Sequence, residues 1–167
     1  MTTVDLVEKA RLTLDRCRSA GLKLATAESC TGGMIAGVLT EIAGSSDVVD
    51  CGFVTYSNAA KSRMLDVPPA LLEQYGAVSE PVARAMADAA LRRSGVDLTV
   101  AVTGVAGPGG GSAEKPVGLV HIAVSRRNGP TQHRRCLFEN LDRHGVRTQT
   151  IATALDMLVA VIDAPAG

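Results

Sequence analysis

A chain of 167 residues, 46% hydrophobic and 20% charged, is long enough for one domain with a sizeable core and too short for two. Seventeen Lys and Arg balance seventeen Asp and Glu, so no global field draws the protein to nucleic acid or to an anionic membrane surface. With no Trp and 2% aromatic residues, the core must be built from Ala, Val, Leu and Ile, and stacking platforms for bases are scarce.

The opening stretch MTTVDLVEKARLTLDRC carries Asp5 and Glu8 where a secretory leader has basic residues. No later apolar run is expected to approach the length of a membrane span, so a soluble cytoplasmic protein is expected. Cys17, Cys30, Cys51 and Cys136 form no C-x-x-C pair, which argues for free thiols rather than a zinc ribbon or a thioredoxin-type motif.

In chain order, Leu6, Val7, Ala10, Leu14 and Cys17 recur at helical spacing and Gly21 stops them, predicting a helix over 3–20 followed by a short strand in LKLATA. Met34, Ile35, Val38, Leu39 and Ile42 predict a second helix from Thr31 to Ile42. Residues 48–56 read as a strand and 58–65 as a short helix, with another turn of helix from Pro69 to Gln74. Ser79 resembles an N-cap with Pro81 just inside, opening a helix to Arg93. The continuous apolar run LTVAVTG predicts a strand buried on both faces.

Residues 104–116, GVAGPGGGSAEKP, form a loop of the kind that carries function. Two strands follow, GLVHIAVSRR and TQHRRCLFE, with Asn128-Gly129 as the hairpin signal, and a helix over 142–162 closes the chain. Helices alternating with strands up to residue 103 imply parallel βαβ units, then an antiparallel addition. The expected fold is a single α/β domain, a three-layer α/β/α sandwich with a mostly parallel mixed sheet and an antiparallel C-terminal hairpin.

Ligands in such a sheet collect outside the carboxyl ends of the strands. Three predicted strands end in TAES, TYS and VTG, which would bring Ser29, Tyr56 with Ser57, and Thr103 to one crevice. Gly32 and Gly33 follow Ser29 at the expected helix start, where N–H groups and the helix dipole would outline an oxyanion hole. None of His121, His133 and His144 follows a strand of the parallel core, whereas Lys61 lies five residues beyond Tyr56, so a Ser–Lys dyad is the economical pairing. Lowering a lysine pKa by ~3 units costs ~4 kcal/mol, which burial must supply, helped by a cation such as Arg63.

Simpler roles stand beside these. Ser29 in S-x-T-G-G also has the pattern of an N-cap, Cys30 of a packed thiol or a competing nucleophile, and Lys61 of a solvated surface lysine. Glu28, whose side chain leaves the strand on the opposite face from Ser29, reads as a structural group. The glycine-rich loop matches neither the P-loop nor the dinucleotide fingerprint, and Arg143 with Arg147 is either a solvated helix face or a phosphate site.

Taken in order, TAESCTGG, GFVTYSNAAK, GAVSEPVA, TGVAGPGGGS with EKPVG, and DRHGVRTQT resemble the CinA C-terminal domain family, whose members include nicotinamide-nucleotide amidases. The resemblance runs through about residues 5 to 162 and implies hydrolysis of nicotinamide mononucleotide to nicotinate mononucleotide and ammonia by a Ser/Lys hydrolase, with no metal and no cofactor. It makes Ser29 the nucleophile, Lys61 the base and Tyr56 a positioning or relay group. It places Thr31, Gly32, Gly33, Thr103, Gly104, Gly107, Gly109, Gly110 and Arg147 around the oxyanion and substrate. The alternative is a non-catalytic nucleotide-binding regulator linked to competence or DNA damage, and a homo-oligomer is the expected assembly.

Overall fold

The computed structural model describes residues 3–164. Its elements are α1 (Thr3–Ala20), β1 (Leu24–Glu28), α2 (Met34–Thr40), β2 (Val49–Val54), α3 (Asn58–Leu65), α4 (Pro69–Tyr75), α5 (Glu80–Ser94), β3 (Leu98–Gly104), β4 (Leu119–Arg126), β5 (Gln132–Leu137) and α6 (Arg143–Asp163). The sheet order is β2-β1-β3-β4-β5. β1 pairs in parallel with both β2 and β3, while β4 is antiparallel to β3 and to β5. Four of the five strands therefore point the same way, as expected of a mostly parallel sheet closed by an antiparallel hairpin.

Strand alternation sorts the core into two layers. Leu24, Leu98, Val100, Val102, Val120, Ile122 and Val124 face α1, α2 and α6, where Leu14, Ile35, Leu155 and Leu158 meet them. On the other face Ala27, Ala101 and Ala123 meet Leu65, Leu72 and the Ala83, Met86, Ala87 and Ala90 row of α5. Small residues on both sides bring α5 close to the sheet, and Thr99 Oγ1 donates to the carbonyl of Ala87 at 2.8 Å across that contact. With no Trp and only Phe53 and Phe138 packed against the edges of the core, close approach of backbones replaces aromatic bulk over most of it as the way of excluding water.

Some boundaries differ from the expected ones for local reasons. α2 starts at Met34, not Thr31, because Gly32 and Gly33 take left-handed backbone angles, φ 62° and 98°. Ser79 does not cap α5 through its side chain: its hydroxyl donates to the carbonyl of Gly76 instead. α6 corrects the reading that no apolar run nears a membrane span, since this 21-residue helix reaches a mean hydropathy of 1.2 over its best window. More than half of that window is buried against the sheet and α1, as in the core helix of a globular domain.

Gly118, at φ 92°, brings the start of β4 against the residue that follows β5, and a Cβ there would meet the Phe138 carbonyl oxygen. Gly118→Ala is therefore expected to cost about 3 kcal/mol or more, read as a drop in the urea midpoint.

Candidate active site

The carboxyl ends of β1, β2 and β3 lie side by side and supply the floor of the site. The Ser29 amide donates to Val102 O at 3.0 Å and the Thr55 amide to Glu28 O at 2.8 Å, so both residues prolong the ladder past the last strand residues. α3 then delivers Lys61. The helix starts because Ser57 Oγ accepts from the Ala60 amide at 3.0 Å, and Lys61 in its first turn points inward.

Lys61 is 1% exposed, the bulkiest of the fully buried side chains, which excludes the solvated-lysine reading. Its Nζ donates to Ser29 Oγ at 2.8 Å and to the Thr55 carbonyl at 2.9 Å. Burial holds its pKa below the usual lysine value, with the adjacent Cys30 pulling weakly the other way. Arg63, expected to assist, is exposed and is not among the groups that lower this pKa, so desolvation is the cause of the shift.

Cys30 is 6% exposed, and burial pushes its thiol up to about 11. A thiol held protonated at neutral pH is a poor nucleophile, which argues against Cys30 as the reactive group.

Glu28 is fully buried on the α2 side of the sheet. Its carboxyl oxygens accept from Thr26 Oγ1, Thr31 Oγ1 and the amides of Gly33, Ile35 and Ala36 at 2.6–3.2 Å. The cap of α2 therefore comes from a strand residue, and Ser29 is free of the capping role its position suggested. The expected oxyanion donors are corrected too: the Gly33 amide is committed to Glu28 and the Gly32 amide to Ser29 O at 3.0 Å. Among the described residues, the amides of Cys30 and Thr31 donate to no backbone or side-chain oxygen, the Cys30 N–H lying instead against its own thiol, and both follow Ser29 directly in the chain.

The pocket above Ser29 holds about 260 Å³ and is lined by Cys30, Tyr56, Asn58, Lys61, Ala77, Thr103, Gly104 and Arg143, among others. Thr103 Oγ1 donates to Ala77 O at 2.8 Å, pinning the segment before α5 to the end of β3. Tyr56 is exposed at the mouth, and its hydroxyl accepts from Arg143 at 2.7 Å; the group that orients Lys61 is the Thr55 carbonyl. Arg143 also donates to Gly107 O at 2.8 Å, tying the glycine-rich loop to α6.

Past Arg143 a second cleft of about 620 Å³ opens between Pro108, Val117, His144 and Arg147. Arg147 reaches back to donate to Thr31 O at 2.8 Å. Gly109 and Gly110 are exposed and line neither space, and Gly107 contributes its carbonyl rather than an anion cradle. A larger cavity of about 860 Å³ lies at the opposite end of the sheet, between the β4–β5 turn and α6, and contains no nucleophile–base pair.

Asn58 and Ala77 line the pocket without having been singled out in the sequence, whereas Arg143 had been, through its spacing from Arg147. Asn58 carried a signal in its place one turn before Lys61; Ala77 carried none.

The model of the CinA C-terminal domain matches residues 7–162. A CinA-like protein of Akkermansia muciniphila is 53% identical over 134 residues, 80% of this chain and 32% of its own length. The chain spans about a third of the length of the curated relatives it matches. Among solved structures, competence/damage inducible protein CihA from Agrobacterium tumefaciens is 55% identical, with a TM-score of 0.92 over 94% of this chain and 95% of that one. A CinA superfamily protein from Klebsiella pneumoniae is 34% identical, with a TM-score of 0.86 over 97% and 98% of the two chains. With its sequence matched along nearly its whole length and its fold shared, this chain belongs to the CinA C-terminal domain family.

Proposed function

We propose that this chain is an amidohydrolase that converts nicotinamide mononucleotide and water to nicotinate mononucleotide and ammonia. The observation that carries the reading is the 2.8 Å contact between Ser29 Oγ and a lysine that burial holds below its usual pKa. Lys61 takes the hydroxyl proton as Ser29 Oγ bonds to the carboxamide carbon, and the Cys30 and Thr31 amides receive the oxyanion. Collapse breaks the C–N bond, Lys61 passes its proton to the departing ammonia, and water activated by Lys61 releases the acid from Ser29.

The pocket dimensions suit a ring carboxamide inside and a ribose phosphate outside. Arg143 borders both spaces, whereas Arg147 is tied to the turn behind Ser29, so Arg143 rather than Arg147 is the phosphate partner in this reading. Arg143→Ala is expected to raise KM about 10- to 100-fold with kcat little changed, as loss of a charge-assisted contact made equally in ground and transition states. A cytoplasmic setting, in which the free Cys17, Cys30, Cys51 and Cys136 stay reduced, belongs to the same proposal, as does assembly with further copies of the chain.

The test is ammonia release from nicotinamide mononucleotide with matching formation of nicotinate mononucleotide. Tight nucleotide binding without ammonia would overturn the enzyme reading in favour of a regulatory binding module.

A further inference from the structure

Glu28 is a completely buried acid immediately before the nucleophile, and the reaction as written does not use it. Its five partners are all neutral donors, and four of them, Thr31 Oγ1 and the Gly33, Ile35 and Ala36 amides, belong to the segment that follows Ser29. A carboxyl at the end of a strand thus grips the turn and the first turn of α2 together. α6 holds the same turn from outside, through Arg147 to Thr31 O. Lys61 approaches from α3 in the other helical layer, so acid and base are separated by the sheet itself.

We propose that Glu28 is a positioning residue for the reaction at Ser29: by occupying the donors of the turn and of the first helical turn, it sets the path of residues 29–33 and leaves the Cys30 and Thr31 amides for the developing oxyanion. The assignment rests on Ser29 being the nucleophile. Only an acceptor on both oxygens can serve, because an amide nitrogen placed at either position faces donors. The stakes are those of an oxyanion donor displaced by a fraction of an ångström, about 10²- to 10³-fold in rate.

The test uses a fluorophosphonate, which adds to an activated serine whatever the natural substrate is. The rate of Ser29 labelling per folded molecule, resolved into a binding constant and a maximal rate, is compared for wild type, Glu28→Gln and Thr31→Val across pH. The proposal expects a maximal rate about 10²-fold lower in Glu28→Gln and ~3- to 10-fold lower in Thr31→Val. The binding constant should stay within ~3-fold and the pH midpoint set by Lys61 should stay in place. If Glu28→Gln does not fold, Thr31→Val, which removes a single donor, carries the comparison.

Labelling within ~2-fold of wild type for the variants would overturn the proposal, since a residue that serves stability alone lowers the folded fraction and not the rate of folded molecules. A displaced pH midpoint would also overturn it, in favour of an electrostatic effect on Lys61. Labelling of wild type without hydrolysis of nicotinamide mononucleotide would sink the substrate reading alone, and no labelling of wild-type Ser29 would sink both.

Discussion

Ser29→Ala and Lys61→Met are each expected to lower kcat for ammonia release by about 10⁴- to 10⁶-fold, and the double variant by no more than either single one. In the proposed reaction nucleophile and base act as a unit, so removing one leaves the other without a function. Measured over a single turnover, the variants should still bind substrate with near wild-type affinity, because neither group makes the proposed phosphate contact. Residual activity in Ser29→Ala within tenfold of wild type would end the Ser/Lys reading. Activity of that size in Lys61→Met alone would move the base elsewhere.

The same lysine has a signature in stability. Its folded-state pKa is lowered, so between that value and the ordinary one near 10.5 the unfolded chain still binds a proton that the folded chain has released. The burial penalty is therefore fully present at lower pH and fades as pH rises through that window. Wild type should gain stability relative to Lys61→Met on going from neutral pH toward 10, read from paired urea midpoints.

Acidification should cost the fold about 3 kcal/mol through His121. This ring is 8% exposed in β4, with its Nδ1 at 3.0 Å from Nε2 of His133 and Glu80 beyond, 3.4 Å from the far nitrogen of His133. Burial first, then His133 and Arg135, with a smaller push from Lys115, drive its pKa from 6.5 down to about 4, against the pull of Glu80 on α5. At about 1.4 kcal/mol per unit, the loss sets in below pH 6.5, where the unfolded chain takes up the proton, and is complete near pH 4.

His121→Leu removes that titration. The gap in unfolding free energy between pH 7 and pH 4.5 should therefore shrink by most of this amount, whatever the variant does to stability at pH 7. An unchanged gap would show that other groups carry the acid sensitivity. Because His121 pairs across the ladder with Thr103, whose hydroxyl pins Ala77, the loosening should start beside the pocket.

Much of the architecture was readable because periodicity reports one-sided burial. The α1 stripe of Leu6, Ala10, Leu14 and Cys17 and the unbroken LTVAVTG run each allowed a single placement, against a core and between two layers. The ends of elements were less legible, since they depend on backbone angles and caps. Glycines at 32 and 33 unwound the expected first turn of α2, and Ser79 turned its hydroxyl back to Gly76.

The site divides along the same line. The order of TAESCTGG and TYSNAAK, with strands ending before each, was enough to nominate Ser29 and Lys61, because parallel strands must deliver their carboxyl ends to one edge. Only the tertiary structure decided that the two atoms touch, that burial and not Arg63 depresses the lysine, and that Arg143 rather than Arg147 faces the pocket. Those outcomes depend on desolvation and on contacts between residues 32 to 116 positions apart, to which local spacing carries no signal. The turn after Ser29 shows the difference most directly: the glycines were visible as a turn, but Glu28, reaching forward from the strand, takes the Gly33 amide and Ser29 O takes the Gly32 amide.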